Sequence, residues 1–355
     1  MDNTIVVSTP PHVKSKRTTR GIMIDVCIAL APAAIAGCVF FGWQALMIIL
    51  MSVFACVATE FVYFFIQNKG FSNKCADAKA VCTRFIKQFD FTSVVTGLIL
   101  ALILPTTDKW YEVFYEVLIG GIFSIAVVKM LFGGTGKNLV NPAAAGRVFM
   151  FISFSITTYT AANISSLSFS SATISTGSTN LWWLLSSYGG NPQTKVTTLD
   201  LFLGTGVAGC IGETCKAAIL LGYIYLAVRK VIKWWQPLLF LAVFGFAAVF
   251  MSGFAFIKTG GYIFDMKLFL PHILSGGVLF GAIFMFTDYT TSPKGVFGQI
   301  FYYVLAAILV AVLRYLTKLE VTSFVILIMN LIVPLIDKYF IRKPFGYKKA
   351  KKEGK

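Results

Sequence analysis

Thr96-Gly97-Leu98-Ile99-Leu100-Ala101-Leu102-Ile103-Leu104-Pro105-Thr106-Thr107 is an apolar run with a small-residue start and a proline stop. A helix needs about 20 residues to cross a hydrocarbon layer of roughly 30 Å. Proline ends or kinks a helix because it lacks the backbone N–H and clashes with the preceding turn. The run therefore predicts a short, interrupted span. A second stretch, Ser275-Gly276-Gly277-Val278-Leu279-Phe280-Gly281-Ala282-Ile283-Phe284-Met285-Phe286-Thr287, repeats its plan, and each is followed by a polar turn, an aromatic stretch and another apolar run. They are the third and eighth predicted spans, five crossings apart. An odd offset turns the second half over relative to the first. This inverted repeat places a functional site near the midplane, where interrupted helices meet. Chance likeness between two glycine-containing apolar helices is the competing reading.

The whole composition agrees with a membrane location. The chain has 355 residues, 57% hydrophobic and 13% charged, with a mean hydropathy of +0.77. Soluble domains carry about 25% charged residues. The fold class expected is an all-α polytopic membrane protein. Ten spans are predicted, near 21–40, 44–67, 91–105, 110–132, 143–159, 202–228, 235–256, 270–287, 297–316 and 321–341. The third and fifth are short and flanked by Pro or Gly, as half-helices would be. The organisation expected is an N-terminal arm over 1–20, a transmembrane domain over 21–341 and a basic tail over 342–355. Within the domain, a first repeat over 21–159 and a second over 202–341 flank a loop over 160–200. The first apolar run reads as an uncleaved membrane signal.

A net charge of +16 would suit a nucleic-acid binder, but the cations gather at span ends and in the tail. With ten spans both termini share a side. That side collects Lys14, Lys16, Arg17 and Arg20, the 69–87 cluster, Arg229, Lys230, Lys233 and the tail. The opposite side keeps mainly Lys109, Lys195, Lys258, Lys267 and Lys318. Basic loops stay cytoplasmic, so both termini are expected inside the cytoplasmic membrane, and no nucleic-acid partner is expected. Seven cysteines without a CxxC pair, and histidines only at 12 and 272, offer no disulfide framework, iron–sulfur ligand set or zinc site.

The loop after the fifth span has its own character. From Thr157 to Asn180, 13 of 24 residues are Ser or Thr, and no charged residue occurs between Arg147 and Lys195. At its centre stands Ser170-Ser171-Ala172-Thr173-Ile174-Ser175-Thr176. Its hydroxyls have small neighbours and no adjacent carboxylate, which suits an exposed acceptor for a phosphoester; an ordinary polar loop is the plain alternative. Elsewhere, Gly133-Gly134-Thr135-Gly136-Lys137-Asn138-Leu139-Val140-Asn141-Pro142 is glycine-rich without Walker spacing. Its glycines permit unusual backbone angles, and Pro142 suits the first turn of a helix. Acidic residues near spans are few: Asp25, Glu60, Glu116, Glu213, Asp288 and Asp337. Carboxylates at such depth are costly and often functional.

Taken with Thr9-Pro10-Pro11-His12, Gly212-Glu213-Thr214, Thr287-Asp288 and Asn330 to Asp337, these segments resemble, in order and spacing over nearly the whole chain, one family of membrane redox proteins. It contains the D subunit of the Rnf complex and the B subunit of the sodium-pumping NADH:quinone reductase. The Pro-His opening and the length are closer to the Rnf member. Ser171, where glycine is common, and Cys215, where serine often follows Gly-Glu-Thr, depart from the pattern by small replacements.

The resemblance implies a urea-transporter-like fold and an electron-transfer role within an ion-translocating oxidoreductase that is not active as a single chain. It implies FMN held by a phosphoester to Thr173 on the outer face, with Ser170, Ser171, Ala172 and Thr176 completing the motif. A separate flavin transferase would attach it. It also implies a noncovalent riboflavin, for which Asn138 and Asn141 are candidate contacts; both residues read equally well as caps of a broken helix. Glu213, Asp288 and Asp337 are candidates for handling Na⁺ or H⁺, or for satisfying helix ends. Asp25 and Asp337 also suit interfacial capping or a pair with Lys338. Expected partners are the other members of the complex, including a second covalent-flavin protein and iron–sulfur proteins. A quinone-reductase component, a passive urea-channel-like transporter and a membrane scaffold without its own flavin are the rival readings.

Overall fold

The computed structural model describes residues 17–68, 75–106, 110–154, 198–204, 209–255, 266–317 and 320–340. The loop bearing Thr173, the first sixteen residues and the tail beyond 340 lie outside them. Among the described residues the regular structure is entirely helical.

Helix α1 (Thr19–Phe41) starts on Thr18, whose hydroxyl accepts the Gly21 N–H at 3.2 Å. It ends at Gly42, where a φ of 70° reverses the chain into α2 (Trp43–Gln67). After α3 (Cys75–Gln88), the chain bends by 70° into α4 (Thr92–Leu102), an eleven-residue helix. Helix α5 (Trp110–Ile122) runs without a gap into a π-helical turn, Phe123–Met130. Then come the loop to Asn141 and α6 (Pro142–Phe154). Beyond the undescribed loop lie α7 (Thr198–Leu203), α8 (Lys216–Val228) and α9 (Trp235–Ala255). The next segment is the second bent unit: a 3₁₀ turn (Met266–Leu268), α10 (Phe269–Leu274), a 72° bend, the short α11 (Val278–Phe280) and a second π-helical turn, Gly281–Met285. Helices α12 (Val296–Thr317) and α13 (Thr322–Tyr339) close the described chain.

Five of these helices are each long and apolar enough to cross a bilayer, and seven spans result if each bent unit counts as one. Their outer surfaces carry Ile35, Phe54, Phe246 and Leu331, all more than half exposed, as lipid-facing helices require. The predicted interruption of the third span is present. The eighth, expected as one run over 270–287, is itself broken at Ser275–Gly277. The predicted sixth span, 202–228, is not one helix: α7 stops at Leu203, and Gly209–Cys215 form an irregular, largely buried stretch before α8. That stretch is held by backbone bonds from Ile211 and Gly212 to the carbonyls of Leu104 and Leu102. A continuous helix there would leave the end of α4 without those partners.

Close backbone approach fixes the centre. Helix α2 packs on α4 and α5, α1 on α8, α9 on α12, and α6 on α13. Gly97 lies against α2 so tightly that a Cβ there would stand 2.8 Å from the Val53 Cα. The Ser52 hydroxyl donates to the Gly97 carbonyl at 2.8 Å across the same contact.

Candidate functional site: a polar-ended cavity between broken helices

Between the two bent units lies a cavity, part of it open to solvent. One side is apolar, formed by Ile22, Met23 and Val26 of α1 with Leu226, Val231 and Ile232 around the end of α8. The two bent units add hydroxyls among apolar side chains, Thr92 and Thr96 on α4 and Thr287 and Thr290 after the second π-turn. Thr135, Asn138, Lys129 and Asp288 complete the polar lining. A largely apolar cleft with a few convergent polar groups is the usual form of a small-molecule site.

Each polar wall has a local cause. At the first bend, the Asp90 carboxylate accepts the Thr92 N–H at 3.1 Å and the Thr92 hydroxyl at 2.6 Å, which caps α4. At the second, Asp288 accepts the Thr290 N–H at 3.3 Å and hydroxyls from Thr290 at 2.9 Å and Thr291 at 3.2 Å. Asp-Phe-Thr-Ser at 90–93 and Asp-Tyr-Thr-Thr at 288–291 thus build the same turn, in which an aspartate side chain bonds the backbone two residues on. Burial in the turn beyond Met285 raises the Asp288 carboxyl above its ordinary value, with the Thr290 and Thr291 hydrogen bonds opposing the shift.

The glycine-rich loop enters between them. Gly133, Gly134 and Gly136 hold φ values of 103°, 85° and 88°, which residues with a Cβ rarely adopt. The two asparagines then part company. Asn141 caps α6: its Oδ1 accepts the N–H of Ala143 at 3.0 Å and of Ala144 at 3.3 Å, with Pro142 in the first helical position. Its Nδ2 donates to the Met285 carbonyl at 3.4 Å. Asn138 faces the cavity with a buried Oδ1 that has no hydrogen-bond partner among the described residues. Such an orphan acceptor is costly unless a ligand or water supplies the donor.

A residue absent from the sequence-based candidates completes the wall. Lys129, at 1% exposure, lies in the first π-turn. Its Nζ donates to Glu60 Oε1 at 2.7 Å, Thr92 Oγ1 at 2.6 Å and Ser93 Oγ at 3.1 Å. The Ser93 hydroxyl donates to the other Glu60 oxygen. The signal was there: Val127-Val128-Lys129-Met130-Leu131 sets one cation inside an apolar run, and an intramembrane charge is a functional candidate by default.

The other candidates fall elsewhere. Glu213 does not line the cavity; its Oε1 accepts the Cys210 N–H at 3.1 Å and folds the irregular stretch onto itself. Beside it Lys216 donates to the carbonyls of Glu213 and, at 3.1 Å, Gly276, tying that stretch to the second bend. Asp337 accepts the Lys294 N–H at 3.1 Å, and Asp25 pairs with Arg229 at 3.1 Å rather than with Lys338. Ser170, Ser171, Ala172, Thr173 and Thr176 are outside the described residues.

Among the described residues, a helical bundle of apolar spans with two bent units bordering a polar-ended cavity defines a polytopic membrane protein. A model of the NQR2, RnfD, RnfE family matches residues 6–346, so the chain belongs to that family. It is 34% identical to the D subunit of the Na(+)-translocating ferredoxin:NAD(+) oxidoreductase complex of Acetobacterium woodii, over 99% of this chain and 98% of the relative. It is 32% identical to the D subunit of the proton-translocating ferredoxin:NAD(+) oxidoreductase complex of Clostridium ljungdahlii, over 97% of both. Against the D subunit of the ion-translocating oxidoreductase complex of Stutzerimonas stutzeri the identity is 29%, over 92% of this chain and 91% of the relative.

Proposed function

We propose that this chain is the flavin-carrying membrane D subunit of an ion-translocating ferredoxin:NAD⁺ oxidoreductase, with FMN esterified to Thr173 and a noncovalent riboflavin in the cavity. The observation that carries the second flavin is the cavity itself, above all the orphan Asn138 Oδ1 facing it. A tricyclic ring suits the apolar side, its N–H can serve Asn138, and a polyol chain suits the hydroxyls of Thr92, Thr96, Thr287 and Thr290. Bound there, a flavin accepts and passes on electrons. The chain's own groups hold it, shield it from lipid and fix its orientation.

Thr173 enters by the motif and by family membership. The residues before it, Ser171 and Ala172, are small, and the segment carries no charge, which suits an acceptor hydroxyl for a transferase. With ten crossings in two inverted, urea-transporter-like repeats, the Thr173 loop faces outward. The cavity opens beside Arg17, Arg229 and Lys230, on the basic and therefore cytoplasmic side. The protein then offers electrons one station near each face of the membrane. Partners with iron–sulfur clusters and a second covalent flavin connect those stations to ferredoxin and NAD⁺.

The coupling ion is open between Na⁺ and H⁺, because relatives named for each are almost equally similar to this chain. Moving one charge against 100 mV costs about 2.3 kcal/mol, and a two-electron couple yields about 1.4 kcal/mol per 30 mV. A potential span of a few hundred millivolts therefore drives more than one ion.

The test is intact mass and peptide mapping of the chain from the purified complex, made with its flavin transferase, beside Thr173→Val. The expected result is an FMN-sized adduct on the Thr173 peptide, lost in the variant, plus an acid-extractable riboflavin retained in both. An adduct on Ser171 or Thr176 would move the site. No adduct beside a modified positive control would remove the covalent flavin from this protein.

A further inference from the structure

Lys129 has a counterpart in the second half that shows what a purely structural cation looks like. Arg314, near the end of α12 as Lys129 is near the end of the first π-turn, is 2% exposed. It donates to the His272 carbonyl at 3.3 Å, the Ser275 carbonyl at 3.1 Å and the Ser275 hydroxyl at 2.9 Å, and pairs with Glu320 at 3.6 Å. The first three contacts lie at the second bend, and Arg314 does not line the cavity. Lys129 pins the first bend in the same way, through Thr92 and Ser93, but it also forms part of the cavity wall, and among the described residues it is the one cation that does.

Its placement matters because of what surrounds it. Glu60 balances the charge at 2.7 Å but does not line the cavity, whereas Lys129 and Thr92, the hydroxyl its Nζ reaches at 2.6 Å, both do. On the lining itself the other charged side chain is the Asp288 carboxylate, with Asp90 behind Thr92, whereas Arg17, Arg229 and Lys230 stand beyond the lining. A site with only those carboxylates would resist any added negative charge. Lys129 is held within a π-helical turn, and such turns recur at functional sites because they re-aim side chains inside an otherwise regular helix.

We infer that Lys129 sets the reduction potential of the flavin held in this cavity, by fixing a positive charge on the wall where electrons arrive. The inference rests on the reading that the cavity holds the noncovalent flavin. Each electron that leaves reduced ferredoxin and reaches the ring brings one negative charge; a proton taken from water onto a ring nitrogen cancels it. Where electrons outnumber protons, the remaining charge lies in a site of low dielectric, and a fixed cation makes its arrival more favourable. Lys129 is a positioning and tuning group here, with no bond to the flavin made or broken.

The test is a dithionite redox titration of the purified complex carrying Thr173→Val, which removes the covalent FMN signal. Noncovalent flavin is counted separately by acid extraction. Lys129→Met should make reduction of the extractable flavin at least tenfold less favourable, about 30 mV lower for two electrons. Glu60→Gln, which leaves the cation without its counter-charge, should shift the midpoint the opposite way. A group that only pinned the bend would move both variants in the same direction or neither. Unchanged or same-direction midpoints with full flavin content overturn the inference while leaving the cavity reading intact. If Lys129→Met does not assemble, the sign of the Glu60→Gln shift decides: upward supports the inference, and downward or absent refutes it. The cavity reading fails by a different result, full retention of extractable flavin in an assembled Thr96→Phe complex whose cavity is filled.

Discussion

Two asparagines three positions apart show how much a residue's partners decide. Asn141 spends its oxygen on the first N–H groups of α6, so it is a cap. Replacing such a cap with alanine costs about 1 kcal/mol. Asn141→Ala should therefore lower the thermal midpoint of the purified complex. Asn138 has no such duty for its Oδ1. Asn138→Ala should leave thermal stability nearly unchanged and release the extractable flavin, seen as a fall in flavin per complex after gel filtration. The reverse pattern, an unstable Asn138 variant with full flavin, would return Asn138 to packing. Asn-Pro before an alanine run already reads as a helix start, so the Asn141 cap was legible in the sequence. Asn138 stood in the sequence as a candidate flavin contact on equal terms with Asn141, and nothing there separated the two in that role, because an orphan atom is defined by everything that fails to touch it. Lys129 stood in plain view within an apolar run, but its carboxylate partner is 69 positions away, and no spacing rule joins them.

At the scale of elements, the bends need both room and compensation. Gly97 supplies room: a side chain there would push into the α2 backbone at Val53. Overpacking of a tight core costs about 1–3 kcal/mol, more where backbone must move. Gly97→Val should accordingly reduce the yield of assembled complex and lower its thermal midpoint, whereas Gly134→Ala, with nothing within 4 Å of the new Cβ, should strain only its own φ of 85°. Arg314 supplies compensation by bonding the open carbonyls at the second bend. Removing one partner of a buried pair costs about 3–5 kcal/mol, since the other charge is left uncompensated. Arg314→Leu should thus lose assembly, with partial recovery in Arg314→Lys, as read by thermal unfolding. The short third run ending at Pro105 predicted the brevity of α4, but neither α3 before it nor the 70° bend between the two. The second bend and the stop of α7 fall at glycines in positive φ, Gly276 at 66° and Gly204 at 83°. A glycine inside an apolar run is compatible with a continuous span, however, and it is distant groups, Arg314 and the carbonyls at the end of α4, that satisfy the opened backbone.

For the whole molecule the open quantity is orientation. Charge asymmetry argues that Arg17, Arg229 and Lys230 face the cytoplasm, which puts the mouth of the cavity there and the Thr173 loop outside. The polar character of residues 157–180 agrees, since a segment without charge is readily moved across a membrane. Two single cysteines test this against the background of the seven native ones: Ser178→Cys in the loop and Gly134→Cys beside the cavity. A membrane-impermeant maleimide added to right-side-out vesicles should add label to the first and none to the second, and inverted vesicles should exchange the result. Label on both sites from one side would place both flavin stations at one face. Electrons would then have no reason to cross the membrane through this protein, and ion movement would have to be coupled to a change of shape instead. Label as expected fixes the two stations at opposite faces, so that each electron passing between them carries charge across the low-dielectric layer. At about 2.3 kcal/mol per charge per 100 mV, that transfer is itself a large share of the coupling energy. Thr173→Val would then abolish formation of a membrane potential while leaving the cavity flavin reducible from the cytoplasmic side. Vesicles of the variant complex, followed with a potential-sensitive dye during ferredoxin oxidation, should show reduction of the extractable flavin without a dye response.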